Sequence, residues 1–230
     1  MWVKICGITN ATDALAAVAM GADAVGFVMA PSPRQVSPGV VREITRQLPR
    51  EILTVGVFRD QAPDQVVDMV LEAGLQGAQL HGHETPSDAK IIRPKVQALI
   101  VAMAAGSPSV ARFDEYEADV LLLDGVNPGS GEVFDWSLVE AVPAGRRLIL
   151  AGGLRPDNVA AAVAAVRPWG VDVSTGVERE PGRKDVLKVR DFIRAAHRPA
   201  AATEEAEDAD PYDQLAEDDH VDDVAWAEEG

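Results

Sequence analysis

Residues Leu148 to Glu178, LILAGGLRPDNVAAAVAAVRPWGVDVSTGVE, contain two turns of the same construction. The apolar run Leu148-Ile149-Leu150-Ala151 breaks into Gly152-Gly153, and Val171-Asp172-Val173 breaks into Ser174-Thr175-Gly176. Backbone without bulky side chains can approach a ligand closely. A helix is expected to start after each turn, turning its free N–H groups and the positive end of its dipole toward an anion. Glycines can also do no more than end a strand. Two such turns one βα unit apart favour a single phosphate cradle, as formed by the seventh and eighth turns of a (β/α)8 barrel.

Outward from that stretch, strand and helix signals alternate every 25 residues or so, the rhythm of repeated βα units around a parallel sheet. Eight strands are expected: Trp2–Cys6, Ala24–Val28, Leu53–Phe58, Gly77–Leu80, Val96–Ala102, Val120–Asp124, Leu148–Ala151 and Gly170–Val173. Capped or proline-led helical stretches lie between and after them at Thr12–Met20, Pro38–Leu48, Pro63–Ala73, Pro86–Arg93, Trp136–Val142, Asn158–Val166 and Lys184–His197. Ser109–Glu115 offers only a single helical turn. The fold class is therefore α/β, a (β/α)8 TIM barrel over residues 1–198 with short loops.

The chain has 230 residues and is 47% hydrophobic, enough for one well-filled core. It opens MWVKICGIT, without a charged start followed by a long apolar run, so neither a signal peptide nor a membrane span is expected and the location is cytoplasmic. Cys6 is the single cysteine, which excludes an intramolecular disulfide and a thiolate-rich metal site and leaves one thiol for chemistry. The net charge of −16 is uneven: 13 acids and no Lys or Arg fall within residues 200–230, leaving 24 acids against 21 bases before them. Residues 199–230 are expected to be a disordered acidic tail, because so little apolar surface cannot offset the entropy of ordering. The tail would repel nucleic acid, and Tyr212, Leu215, Val224 and Trp226 leave room for docking to an unknown partner.

Strand alternation puts Lys4 and Cys6 on one face of the first strand. With Cys6 at the barrel mouth, Lys4 lies one layer deeper and needs a carboxylate; Asp172 on the adjoining eighth strand is the natural partner. The nearby ammonium is expected to lower the thiol pKa. Asp124 ends the buried run VLLLD, where it can serve simply as a loop-capping turn, before the loop Pro128-Gly129-Ser130-Gly131, which is either a segment that closes over a ligand or a glycine-rich surface connection. Arg34, in Pro31-Ser32-Pro33-Arg34, is either stiffened by the prolines for a bidentate carboxylate contact or a plain solvent-exposed arginine. QLHGHE places His81 at the mouth and His83 at the surface; its spacing is not that of a metal site, and neither metal nor cofactor is expected.

KICGIT, SPR, VGVF, QLHG, LLLD, FDW, LAGGL and DVSTGVE, followed by Pro181-Gly182 and Lys184-Asp185, stand in an order that resembles the phosphoribosylanthranilate isomerases of tryptophan biosynthesis across residues 2–194. The resemblance implies the barrel fold and an Amadori rearrangement of N-(5′-phosphoribosyl)anthranilate. It implies Cys6 as general base, Asp124 as general acid and Arg34 opposite the anthranilate carboxylate; His81 and Asp172, placed by their strands, are expected to line the substrate as well. Phosphate would fall on Gly152, Gly153, Ser174, Thr175 and Gly176. Thr175 stands where the family commonly has serine, Pro128–Gly131 differs from the commoner double-glycine loop, and the tail has no family counterpart. A histidine-pathway barrel isomerase would put aspartate where Cys6 stands, and an aldolase would want a Schiff-base lysine nearer the mouth than Lys4. The alternative from another class is a non-catalytic phosphoribosyl-binding or scaffold barrel with an acidic docking tail.

Overall fold

A computed structural model describes residues 1–125, 139 and 142–198. The Pro128–Gly131 loop, the acidic tail and all but two residues of the expected Trp136–Val142 helix lie outside the described residues. Eight parallel strands close into a barrel in chain order: β1 (Trp2–Ile5), β2 (Ala24–Val28), β3 (Leu53–Phe58), β4 (Gly77–Leu80), β5 (Ala98–Ala104), β6 (Val120–Asp124), β7 (Leu148–Leu150) and β8 (Gly170–Val173). The seam joins β1 to β8 with Lys4 opposite Asp172 and Ile5 opposite Val173.

Period-two alternation sorts the buried apolar residues of the strands into two cores. One set of residues, including Val3, Ile5, Phe27, Leu99, Leu121 and Val171, points outward into the layer shared with the helices. The other fills the barrel with Val55, Ile100, Val120, Leu122 and Ile149, backed by Trp2 and Leu53. Each fully buried Phe or Leu of this kind stabilises by about 1.5–3 kcal/mol. At the amino-terminal end Trp2 stacks on Trp169 with ring centroids 4.9 Å apart, and the Arg147 guanidinium lies 5.3 Å from the Trp169 ring centre.

The helices are α1 (Ala11–Ala19), α2 (Pro38–Thr45), α3 (Pro63–Ala73), α4 (Pro86–Ile92), α5 (Val159–Val166) and α6 (Val186–Ala196). Their starts follow local chemistry. Asn10 caps α1 by accepting from the Asp13 N–H at 2.9 Å, and Thr85 with Asp88 forms a capping box on α4. The spacing of Val66, Val70 and Ala73 gives α3 one buried stripe, and Gly74 ends it at φ +66°, a left-handed geometry that glycine adopts without strain.

The structure departs from the sequence expectations at several places. β5 starts and ends two residues later than expected, because Arg93–Lys95 forms a 3-10 turn and Ala104 still pairs with Asp124. Pro108–Tyr116 is a 3-10 helix rather than one turn. Only a 3-10 turn, Thr175–Val177, follows β8; the chain then folds into a hairpin of β9 (Glu178–Glu180) and β10 (Arg183–Lys184). Lys184 accordingly sits on a strand, and α6 begins two residues later, with Asp185 as its N-cap. Among the described residues no helix is long and apolar enough to cross a membrane.

Candidate active site

The inward set turns polar toward the carboxyl ends of the strands. Lys4 is completely buried, and its Nζ donates to Asp172 Oδ1 at 2.8 Å, the pairing that the β1–β8 register sets up. Burial works to strip the proton from Lys4, but the charge and hydrogen bond of Asp172 outweigh it, and the pKa lies above the ordinary lysine value. Gly26 makes room for this pair. A Cβ there would stand 2.8 Å from Cys6 Sγ and 3.1 Å from Lys4 Nζ.

Cys6 follows β1, and its N–H donates to the Val173 carbonyl at 2.8 Å, so the thiol is fixed at the mouth of the seam. Burial pushes the thiol pKa up, Lys4 and Lys184 pull it down and Asp172 pushes it up again; the net direction is upward. This corrects the expectation of a lowered thiol pKa. At 7% exposure the cost of desolvating a thiolate exceeds the attraction of the neighbouring ammonium.

Asp124 closes β6. Its Oδ1 accepts from the Gly125 N–H at 2.8 Å, and its Oδ2 lies 3.2 Å from His81 Nε2. His81 Nδ1 in turn lies 3.0 Å from the Nε2 of Gln79, which points into the barrel from β4. His83 makes only the exposed contact with Asp60 that its surface assignment suggests.

Gly152 and Gly153 follow β7 with φ of +81° and +66°. A Cβ on Gly152 would collide with the Gly125 nitrogen and come within 2.7 Å of Asp124 Oδ1, so glycine there lets the turn after β7 and the Asp124 turn touch. Ser174 and Thr175 follow β8. Gly176 stands behind them, where a Cβ would overlap the Leu154 carbonyl oxygen and lock the two turns apart.

Arg34 forms the bidentate carboxylate contact foreseen for it, but within the chain: Nε and NH2 each donate to Glu178 at 2.7 Å. Lys184 Nζ donates to the same carboxylate at 3.0 Å and to the Ser174 carbonyl at 3.1 Å. Burial pushes Glu178 up, yet the hydrogen bonds from Arg34 and the charge of Lys184 win and hold it below the ordinary value. For Lys184, burial dominates and lowers the pKa despite Glu178.

A cavity of about 340 Å³ opens among Cys6, Arg34, His81, Asp124, Gly153 and Ser174, within the range of small-molecule sites. A thiol, a carboxyl, a guanidinium and two glycine-containing turns thus share one chamber at the carboxyl ends of the strands. The family model described as N-(5′phosphoribosyl)anthranilate (PRA) isomerase matches residues 3–195.

The chain belongs to this family.

The N-(5′-phosphoribosyl)anthranilate isomerase of Desulforudis audaxviator is 50% identical over 201 residues, spanning 84% of this chain and 97% of the relative. The crystal structure of phosphoribosyl anthranilate isomerase from Thermus thermophilus superposes with a TM-score of 0.80 at 44% identity, covering 85% of this chain and 98% of that one. A phosphoribosyl anthranilate isomerase in complex with reduced 1-(o-carboxyphenylamino)-1-deoxyribulose 5-phosphate gives a TM-score of 0.76 at 39% identity, with the same coverage.

Within this family frame, Cys6, Arg34, His81, Asp124, Gly152, Gly153, Asp172, Ser174 and Thr175 all line the one cavity; Gly176 supports it from behind. Three side chains given no role by the sequence join them: Glu178, Lys184 and Gln79. The alternating charges of EREPGRK around a Pro-Gly turn signal the hairpin that carries the first two. Gln79 is signalled by parity alone, being the polar residue two before His81 on a buried strand.

Proposed function

We infer that the chain isomerises N-(5′-phosphoribosyl)anthranilate to 1-(2-carboxyphenylamino)-1-deoxyribulose 5-phosphate, the Amadori step of tryptophan biosynthesis, in the cytoplasm. The observation that carries this reading is the meeting of Cys6 and Asp124 around a cavity whose floor is the glycine cradle of β7 and β8. Phosphate binds at Gly152, Gly153, Ser174, Thr175 and Gly176. Arg34, aimed by Glu178, faces the anthranilate carboxylate with its three remaining donors, both on NH1 and the second on NH2, since Nε and one NH2 hydrogen are given to Glu178.

Asp124 gives its proton to the ribose ring oxygen while the C1′–O bond breaks. The nitrogen lone pair forms the C1′=N⁺ iminium, which acidifies the hydrogen on C2′. The thiolate of Cys6 takes that proton, and the electron pair of the C–H bond gives the C1′=C2′ enolamine. Protonation at C1′ and loss of the C2′ hydroxyl proton yield the ketone. The sequence is redox-neutral, and each general acid–base step contributes roughly 10²–10⁴-fold. Because burial favours the thiol, Lys4 matters for the fraction present as thiolate.

The test is consumption of N-(5′-phosphoribosyl)anthranilate followed by its fluorescence. Wild type turns it over. Cys6→Ser and Asp124→Asn fold and lose kcat by roughly 10²-fold or more with KM little changed, because both groups act in the transition state. Tight binding without turnover by wild type would favour the non-catalytic phosphoribosyl-binding alternative, and near-normal kcat in Cys6→Ser would remove the thiol from the reaction.

A further inference from the structure

Gln79 is 1% exposed, and its Oε1 is a buried side-chain atom with no hydrogen-bond partner among the described residues. Such an orphan is destabilising, and an apolar side chain of the same shape would avoid it. Its Nε2 lies 3.0 Å from His81 Nδ1, and His81 Nε2 lies 3.2 Å from Asp124 Oδ2. An imidazole therefore stands between an amide and the carboxyl that the proposed reaction uses as its acid.

The hydrogen-bond signs along this chain are linked. With the amide nitrogen toward Nδ1, that ring nitrogen must accept, so the proton sits on Nε2 and is donated to an ionised Asp124. When Asp124 carries its proton and donates it to Nε2, the ring proton sits on Nδ1 and needs an acceptor. Rotation of the Gln79 amide by half a turn presents Oε1. Glutamine alone among side chains of this size can supply either sign at the same place; glutamate only accepts, and methionine does neither.

We propose that Gln79 is a positioning residue which sets the tautomer of His81 and, through it, the hydrogen bond that holds Asp124 in its ionised and protonated forms. The orphaned Oε1 is then the unused half of a two-way contact. This inference rests on the reading of Asp124 as the acid.

The test compares Gln79→Met and Gln79→Glu with wild type by three measurements: melting temperature, turnover of N-(5′-phosphoribosyl)anthranilate, and the ¹⁵N shifts of the His81 ring in the ligand-free protein. Gln79→Met removes the orphan and the contact to His81 together, two opposing effects that leave the melting temperature near wild type and show that the variant folds, while kcat falls roughly ten- to hundredfold and KM stays within about twofold. Its His81 ring shows a mixture of tautomers where wild type shows the proton on Nε2. Gln79→Glu moves that proton to Nδ1. A Gln79→Met protein that keeps the wild-type His81 shifts or keeps kcat would overturn the proposal, because Gln79 would then only fill space. Should Asp124→Asn retain full kcat, the acid assignment fails; the His81 shifts still report whether Gln79 sets the tautomer.

Discussion

Replacing Lys4 by Met keeps the buried stem and removes only the ammonium, and this isolates what one charge does inside the barrel. The Gly26 geometry puts Cys6 Sγ and Lys4 Nζ within about 6 Å of each other, where at an effective dielectric of about 20 a thiolate and an ammonium attract by about 3 kcal/mol. Loss of that attraction raises the thiol pKa further above its ordinary value, and the Asp172 carboxylate, no longer offset, acts in the same direction. The thiolate fraction at neutral pH should fall roughly 100-fold, and kcat/KM with it. Since the wild-type thiol is itself pushed up, both proteins gain activity as pH rises, and the gap closes only where wild type has levelled off. Alkylation by iodoacetamide measures the same ionisation without turnover, and Cys6 is the single cysteine, so the signal has one source. The variant also leaves a buried carboxylate unpaired, at a cost of about 3–5 kcal/mol. Lys4→Met/Asp172→Leu should recover most of that stability without recovering the alkylation rate. A Lys4→Met protein whose alkylation profile superposes on wild type, or whose kcat/KM at neutral pH is within threefold of it, would refute the coupling of Lys4 to Cys6.

Gly176→Ala should drive the β8 turn away from the Leu154 carbonyl, lowering stability by about 1–3 kcal/mol and raising KM for the phosphorylated substrate severalfold; a KM equal to wild type would remove Gly176 from the support of the phosphate site. Glu178→Gln should raise KM more than it lowers kcat, because Arg34 loses its anchor. Glu178 is held below its ordinary 4.5, so its stabilising contribution is present above that pH and is lost as pH falls through the lower folded value. Acid unfolding monitored by circular dichroism should therefore be steeper for wild type than for Glu178→Gln, and parallel curves would contradict the assigned charge.

The barrel was legible because its signals are local and repeated. Seven strands agree with expectation to within a residue at either end, since alternation and the turn residues after each run depend on few neighbours. The Lys4–Asp172 pair was legible too, because parity and closure of β8 on β1 follow once eight strands are counted. Quantities set by depth were not. Whether a cation or desolvation governs Cys6 depends on how little water reaches it, and strand order does not contain that. Lys184 illustrates a second limit. A lysine followed by Asp185 and an amphipathic run reads as a helix start, yet pairing with Glu178 across a hairpin places it one element earlier. The partner of Arg34 was hidden for a related reason: guanidinium and carboxylate lie 144 positions apart, so only the folded β2 and β8 ends bring them together.

Polarity inside the barrel rises in steps along the strands, and this explains how one chamber can be both core and reaction site. At the amino-terminal end the inward positions are apolar, with Trp2, Leu53 and Val120 packed together. One pleat further on, Lys4, Gln79 and Asp172 are buried but hydrogen-bonded, a layer that costs stability compared with hydrocarbon and whose compensation must come from pairing. The last layer holds Cys6, His81, Asp124 and Ser174 against the cavity. Each polar group at the mouth thereby has a neighbour set deeper or beside it: Cys6 the Lys4–Asp172 pair, Asp124 the imidazole of His81 backed by Gln79, and Arg34 the carboxylate of Glu178, itself held by Lys184. Small residues make the stacking possible. At Gly26 a Cβ would press on both Cys6 and Lys4, and at Gly152 one would press on Asp124. Substitution at either glycine should therefore displace Cys6, Lys4 or Asp124 without replacing any of them, and the middle layer is where stability and activity are expected to be set by the same residues.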